Sequence, residues 1–174
     1  MFYIEYATAY KSQHGTLPPD FLEVGNRLDR GNGWFALKAA ATGARDVVEK
    51  DRLSSADRRA GKKETWTVHD EDELARRIAL LKQGAMAERI ESYQRELAEL
   101  RFSKLPRPRE FTESIPVIAY VASTSIDIDE RHLAELIEFE ARRCEREGDR
   151  EGFVELATVW ERLFKNHLDE ACTL

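Results

Sequence analysis

Apolar positions recur at helical spacing through most of this chain, and the longest such stretch runs between residues 70 and 104. Leu74, Ile78, Leu81 and Ala85 form one block there. Met86, Ile90, Tyr93, Leu97 and Leu100 form a second, with a one-residue slip beside Gly84. The pattern predicts one long charged helix over 70–104, around which the rest is organised. Asp70 and Glu73 stand at capping-box spacing, with Asp in place of Ser or Thr, and four acids in the first turn complement the helix dipole. A helix of that length spans about 52 Å, against about 40 Å for the diameter of a compact domain of this size. It is therefore expected to bend at Gly84 or to project. A projecting stretch from Ile90 to Leu100 would pair with a second copy as a short coiled coil, giving a homodimer through the long helix.

Before that helix, Phe2, Tyr3, Ile4, Tyr6 and Tyr10 have strand composition, so residues 2–10 are expected as a strand. Pro18-Pro19-Asp20 starts a short helix whose apolar side is Phe21, Leu22, Val24 and Leu28. Gly31-Asn32-Gly33 is a turn signal. Residues 34–52 carry the stripe Trp34, Leu37, Ala41, Ala44 and Val48 and read as a helix that Gly43 weakens; a strand over 34–38 is the alternative. Residues 54–63 are polar and read as a surface loop. Thr65 to Val68 has strand composition and runs into the long helix.

Beyond it, Pro106 and Pro108 mark a stiff linker over 106–114. Residues 115–121 are the most apolar run and read as a buried strand, with Pro116 at its start or at an edge. The last third reads as a helical hairpin. Asp129 caps the first helix, whose inner stripe is Leu133, Leu136, Ile137, Ala141 and Cys144. Gly148 ends it and Asp149 caps the second. Phe153, Leu156, Ala157, Trp160, Leu163, Phe164, His167 and Leu168 then form one apolar face, and the short connection makes the helices antiparallel. Trp34, Trp66 and Trp160 all fit core positions.

The expected fold is α+β and predominantly α-helical: a small sheet, one long central helix and a C-terminal antiparallel helical hairpin. Residues 1–105 form a strand-and-helix unit, 106–114 the linker and 115–174 a strand with the hairpin.

Composition narrows what such a fold can do. The 174 residues are 42% hydrophobic and 34% charged, which suits a folded core under heavily charged helix faces. The net charge of −6 disfavours general affinity for nucleic acid. Cys144 and Cys172 are the only cysteines and form no CxxC pair, as expected of reduced thiols. No stretch has the length of apolar sequence that a membrane span needs, and the N-terminus has no secretory pattern. The expected location is the cytoplasm.

Candidate chemistry is sparse. His14, the His69-Asp70 pair and Asp127 or Asp129 are ingredients of a divalent-metal hydrolase, but Asp70 and Asp129 already stand at cap positions, so no metal ligand is assigned. Cys144 with His132 or His167 would make a thiol–imidazole pair, but Cys144 lies on an apolar stripe. Gly25, Gly31 and Gly33 form neither a P-loop nor a dinucleotide fingerprint. No catalytic residue and no cofactor are assigned. Arg58, Arg59, Lys62 and Lys63 form a basic loop that could contact phosphates, as in a DNA- or RNA-binding regulator.

The sharpest asymmetry is in charge. Residues 127–174 hold 14 acids against 7 bases, whereas residues 1–64 hold 9 acids against 11 bases. This points to a non-enzymatic protein-binding module, an adaptor or inhibitor of a nucleic-acid-handling complex. Its acidic helical surface would steer a basic protein partner, with Glu138, Glu145 and Glu155 as the contact residues.

Overall fold

The computed structural model describes residues 2–51, 53–62, 64–105, 110, 112–116 and 129–172, and does not describe the side chains of residues 58, 94, 95, 130 and 166–172. In chain order the first elements are α1 (Phe2–His14), α2 (Phe21–Leu28), α3 (Trp34–Ala41), α4 (Ala44–Val47), β1 (Val48–Lys50), α5 (Ser55–Arg59) and β2 (Trp66–Val68). There follow α6 (Glu71–Ala85), α7 (Gln94–Lys104), a helical stretch at 112–116 (α8), α9 (Glu130–Glu147) and α10 (Arg150–Cys172). The fold is α+β and predominantly helical. Two compact units are present: Met1–Pro18 with Glu91–Asp127, and Pro19–Ile90 with Ile128–Leu174.

In the first unit, the strand expected over 2–10 is a helix. Tyr, Phe and Ile favour strands only where a pleated surface packs them. Here Ile4 and Ala7, three residues apart, are buried together. Tyr3, Tyr6, Tyr10 and His14 meet ring to ring along α1 in tilted pairs, with centroids 5.8, 6.0 and 4.3 Å apart. Those separations of three and four residues are helical neighbours. Arg101 of α7 pairs with Glu5 of α1 at 2.9 Å, and Leu97 is buried. Where a buried strand was expected from 115, residues 115 and 116 are helical and Ile115 is exposed. The rest of that run, with prolines 106 and 108 of the linker, lies outside the described residues.

In the second unit, the most enclosed element is α3. Its Trp34, Phe35, Ala36, Leu37, Ala40 and Ala41 are all buried, as befits a helix apolar on every side. It packs against α2, α6 and α9. Phe21 of α2 meets Trp34 and Phe35 at centroid distances of 6.2 and 5.5 Å. Gly43, at φ +73°, ends the expected 34–52 helix and separates α3 from the single turn α4, after which the chain extends into β1. β1 and β2 pair antiparallel, Val48 opposite Val68 and Lys50 opposite Trp66. Such a ribbon needs a packing partner, and Trp66 supplies one by meeting Phe139 of α9 edge-on at 5.7 Å. The polar stretch read as a loop contains the short helix α5, started by Ser54, whose hydroxyl accepts from Asp57 N at 3.1 Å.

The long helix expected over 70–104 is two helices. Asp70 caps α6 as its spacing predicts, accepting from Glu73 N at 2.9 Å. The helix stops at Ala85 because the following residues have other partners. Arg89 O accepts from Gly33 N at 2.8 Å, and Arg89 pairs with Asp29. The stretch from Ile90 to Leu100 is therefore not a continuous helix, and the coiled-coil seam expected there is interrupted before α7 begins at Gln94.

The caps and the turn of the hairpin are as expected. Asp129 accepts from His132 N, Gly148 takes the left-handed C-cap at φ +71°, and Asp149 accepts from Gly152 N at 2.9 Å. Leu133, Leu136, Ile137 and Cys144 of α9 and Leu156 and Val159 of α10 are buried in the core with α3, α4 and α6.

Candidate functional site

The acidic residues proposed for partner contact belong to different local networks. Glu138 on α9 reaches back to the sheet: Lys50 Nζ donates to its Oε1 and Oε2 at 2.9 and 2.7 Å. Lys50 also pairs with Glu64 at 2.8 Å and lies over the Trp66 ring, 5.2 Å from its centroid. Arg142, one turn along α9, donates to Glu138 at 2.8 Å. Burial pushes the Glu138 carboxyl up, but the hydrogen bonds and charges of Lys50 and Arg142 outweigh it and hold the group below its ordinary range. Burial likewise pulls the Lys50 ammonium down, and its bonds to Glu138 and Glu64 more than restore it. Glu155 on α10 is bonded to Lys82 of α6 at 2.6 Å. Glu145, seven residues from Glu138 on the same face of α9, is exposed and has no ion pair among the described residues. Two of the three carboxylates thus hold elements of the fold together, and the third has no such role among the described residues.

A stability consequence follows for the first network. Glu138 has a depressed folded pKa, so its contribution is complete above about pH 4.3 and fades as pH falls through the folded value. Lys50 has a raised pKa, so its contribution is complete below about pH 10.4 and fades as pH rises further. Glu138→Gln is expected to cost about 1 kcal/mol at pH 7, a modest value for a carboxylate still partly open to solvent. Urea titrations of the two proteins at pH 7 and pH 3 check this: their difference should shrink at pH 3. An equal difference at both pH values would contradict it.

The basic loop is spread over α5 and the turn after it. Lys62 is paired with Asp57 at 2.6 Å. Its ammonium, then the Ser54 hydroxyl, hold the Asp57 carboxyl below its ordinary range. Arg59 is exposed. The side chain of Arg58, and Lys63, lie outside the described residues.

The residues considered for metal chemistry are apart in their roles. His14 meets the Tyr10 ring, His69 Nε2 is 3.7 Å from Glu49, and Asp70 and Asp129 are caps. Among the described residues, no three His, Cys, Asp or Glu side chains are grouped to hold a metal ion. Cys144 is buried, and burial, followed by the charges of Glu140 and Asp149, raises its thiol pKa, the opposite of what a nucleophile needs. His132 Nδ1 lies 3.1 Å from Asp129. The side chains of His167 and Cys172 lie outside the described residues.

One surface was not anticipated. The face of α10 read as a single apolar stripe is two. Leu156, Val159 and Leu163 turn inward, whereas Phe153, Trp160 and Phe164 remain 49%, 48% and 54% exposed. Trp160 is therefore a surface residue and not a core one. The signal was in the spacing: 156, 159 and 163 are one stripe, and 153, 157, 160 and 164 a second with the same rhythm beside it. A helix packed on one side can bury only one of them.

Among the described residues, no helix is long and apolar enough to cross a membrane. Compared with protein-family models, curated proteins and solved structures, the chain matches none of them.

Proposed function

We propose that the chain is a non-enzymatic protein-binding module, an adaptor or inhibitor in a nucleic-acid-handling complex, which meets a basic protein partner through the acidic surface of its C-terminal hairpin. The observation that carries the reading is the charge division: 14 acids against 7 bases in residues 127–174, and 9 against 11 in residues 1–64. Within the hairpin, Glu145, Glu151 and Glu161 are exposed, and none of them is in an ion pair among the described residues. A partner bringing Lys or Arg to these carboxylates displaces no internal bridge, and the surrounding field accelerates its approach.

Glu145→Lys combined with Glu151→Lys tests the reading and leaves the Lys50–Glu138 and Lys82–Glu155 bridges intact. Proteins retained by the wild-type chain from its native host should be retained at least ~10-fold less by the double variant, with the loss growing at low salt. Unchanged retention at every salt concentration would count against an acidic docking surface.

A further inference from the structure

We infer that Met86 is a site of reversible oxidation by peroxides, and that its sulfoxide is received by Arg162 as a latch between α6 and α10. Met86 stands just past the end of α6, where its N–H is bonded to Gly84 O and Lys82 O. It is 52% exposed. Among the described side chains the other sulfur is that of Cys144, which is 4% exposed, and burial disfavours its thiolate. A thiol reacts with peroxide as the thiolate, whereas a thioether reacts as it stands. A peroxide arriving from solvent therefore meets a reactive sulfur at Met86 before it meets one at Cys144.

The neighbour of this sulfur sets the consequence. Arg162 Nη1 of α10 donates to Met86 Sδ at 3.7 Å. A thioether is a weak acceptor, so the contact contributes little in the reduced protein. In the reaction, a sulfur lone pair attacks one oxygen of hydrogen peroxide. The S–O bond forms, the O–O bond breaks, and the other oxygen leaves with both protons as water. Sulfur is oxidised and the peroxide reduced, with no further reactant. The new oxygen is the negative end of a strong dipole, beside a guanidinium that is always charged. The methionine side chain is unbranched and turns freely, so the oxygen of either epimer can swing towards Arg162. One turn back on α6 and two turns back on α10, Lys82 and Glu155 already join the same two helices at 2.6 Å. Oxidation adds a second polar tie along that seam. Because Met86 is exposed, no new polar group is buried. The sulfoxide therefore tightens the second unit, whereas a sulfoxide in a core would loosen it.

Treating the folded full chain with hydrogen peroxide, then mapping its peptides by mass, tests the site. The peptide holding Met86 should gain one oxygen while Cys144 remains a thiol. The urea unfolding midpoint of the oxidised chain should rise by about 0.3 M. The two epimer-specific methionine sulfoxide reductases, supplied with a dithiol reductant, should return it to its starting value. Arg162→Ala should leave oxidation of Met86 in place and cancel the rise. Met86→Leu keeps Met1, Cys144 and Cys172, so any effect of oxidation at those sulfurs is read separately; it should show no rise. Cys144 reacting ahead of Met86, a midpoint that stays or falls on oxidation, or a rise that survives in either variant would each overturn the inference.

Discussion

Gly33→Ala is expected to be among the most damaging single substitutions in the chain, lowering stability by about 3 kcal/mol or more. Gly33 precedes α3 with ordinary right-handed dihedrals, φ −69° and ψ −15°, so conformational freedom is not what it supplies. It supplies absence of volume. A Cβ there would lie on the Gly84 carbonyl, 2.8 Å from the carbonyl carbon and 2.8 Å from Ala87 Cβ. Gly84 is pressed in return: a Cβ on it would sit 2.9 Å from Gly33 O and 2.7 Å from Leu37 Cγ. The start of α3 and the end of α6 therefore touch backbone to backbone, and a backbone cannot rotate out of the way as a side chain can. A useful comparison is Gly61→Ala, where φ is +72° and a Cβ would meet open space. That change carries only the left-handed penalty of about 1 kcal/mol. Urea unfolding of the three proteins checks the order. Gly33→Ala no less stable than Gly61→Ala would mean the two helices are not in contact as described. Gly33→Ala with Gly84→Ala should cost less than the sum of the two, because the first methyl already forces the helices apart.

That contact also explains where the sequence could be read and where it could not. Features set within one helical turn were legible. Asp70, Asp129 and Asp149 cap helices because a carboxylate at that position reaches an amide two or three residues on, whatever the rest of the chain does. The inner stripe of α9 was legible for the same reason, as was the strand at 66–68. The break after Ala85 was not. Gly84 marked the place by its low helix propensity, but its role is a close approach to a residue some fifty positions earlier, which no local pattern encodes. The strand expected over 2–10 failed through composition. Aromatic and β-branched types favour a strand there, but the three- and four-residue spacing of Tyr3, Tyr6, Tyr10 and His14 carries the better information. For the site, acidic residue type was visible and pairing was not. Whether Glu138 is free or held depends on Lys50, 88 residues away.

Arg77→Met is expected to cost about 3 kcal/mol, the second of the two large effects, although its place in the charged pattern of α6 suggests an ordinary surface residue. The last carbonyls of any helix lack intrahelical donors. At the end of α3 they belong to residues packed deep in the second unit, where water is a poor substitute. Arg77 Nη1 donates to Ala39 O at 3.1 Å and to Ala40 O at 3.0 Å, and it also reaches Thr42 O. Nη2 pairs with Glu73 at 2.9 Å, which fixes the guanidinium from the other side. The side chain is 11% exposed. Burial lowers its pKa, and the Glu73 charge works against that shift. The group nonetheless stays protonated near neutrality, because a guanidinium begins so far above it. Its positive charge then lies at the negative end of the α3 dipole. Removing it strips donors from three carbonyls at once and leaves Glu73 with Arg76 alone. Arg77→Lys should recover only part of the loss, since one ammonium cannot match the planar fork that spans these carbonyls. Arg76→Ala is the control. Arg76 makes two hydrogen bonds to Glu73, at 2.7 and 2.8 Å, yet its side chain is 58% exposed, so its removal should cost no more than about 1 kcal/mol. Urea unfolding midpoints at pH 7 should therefore fall in the order wild type, Arg76→Ala, Arg77→Lys, Arg77→Met. If Arg77→Met unfolds no earlier than Arg76→Ala, the α3 carbonyls are satisfied by something other than this guanidinium.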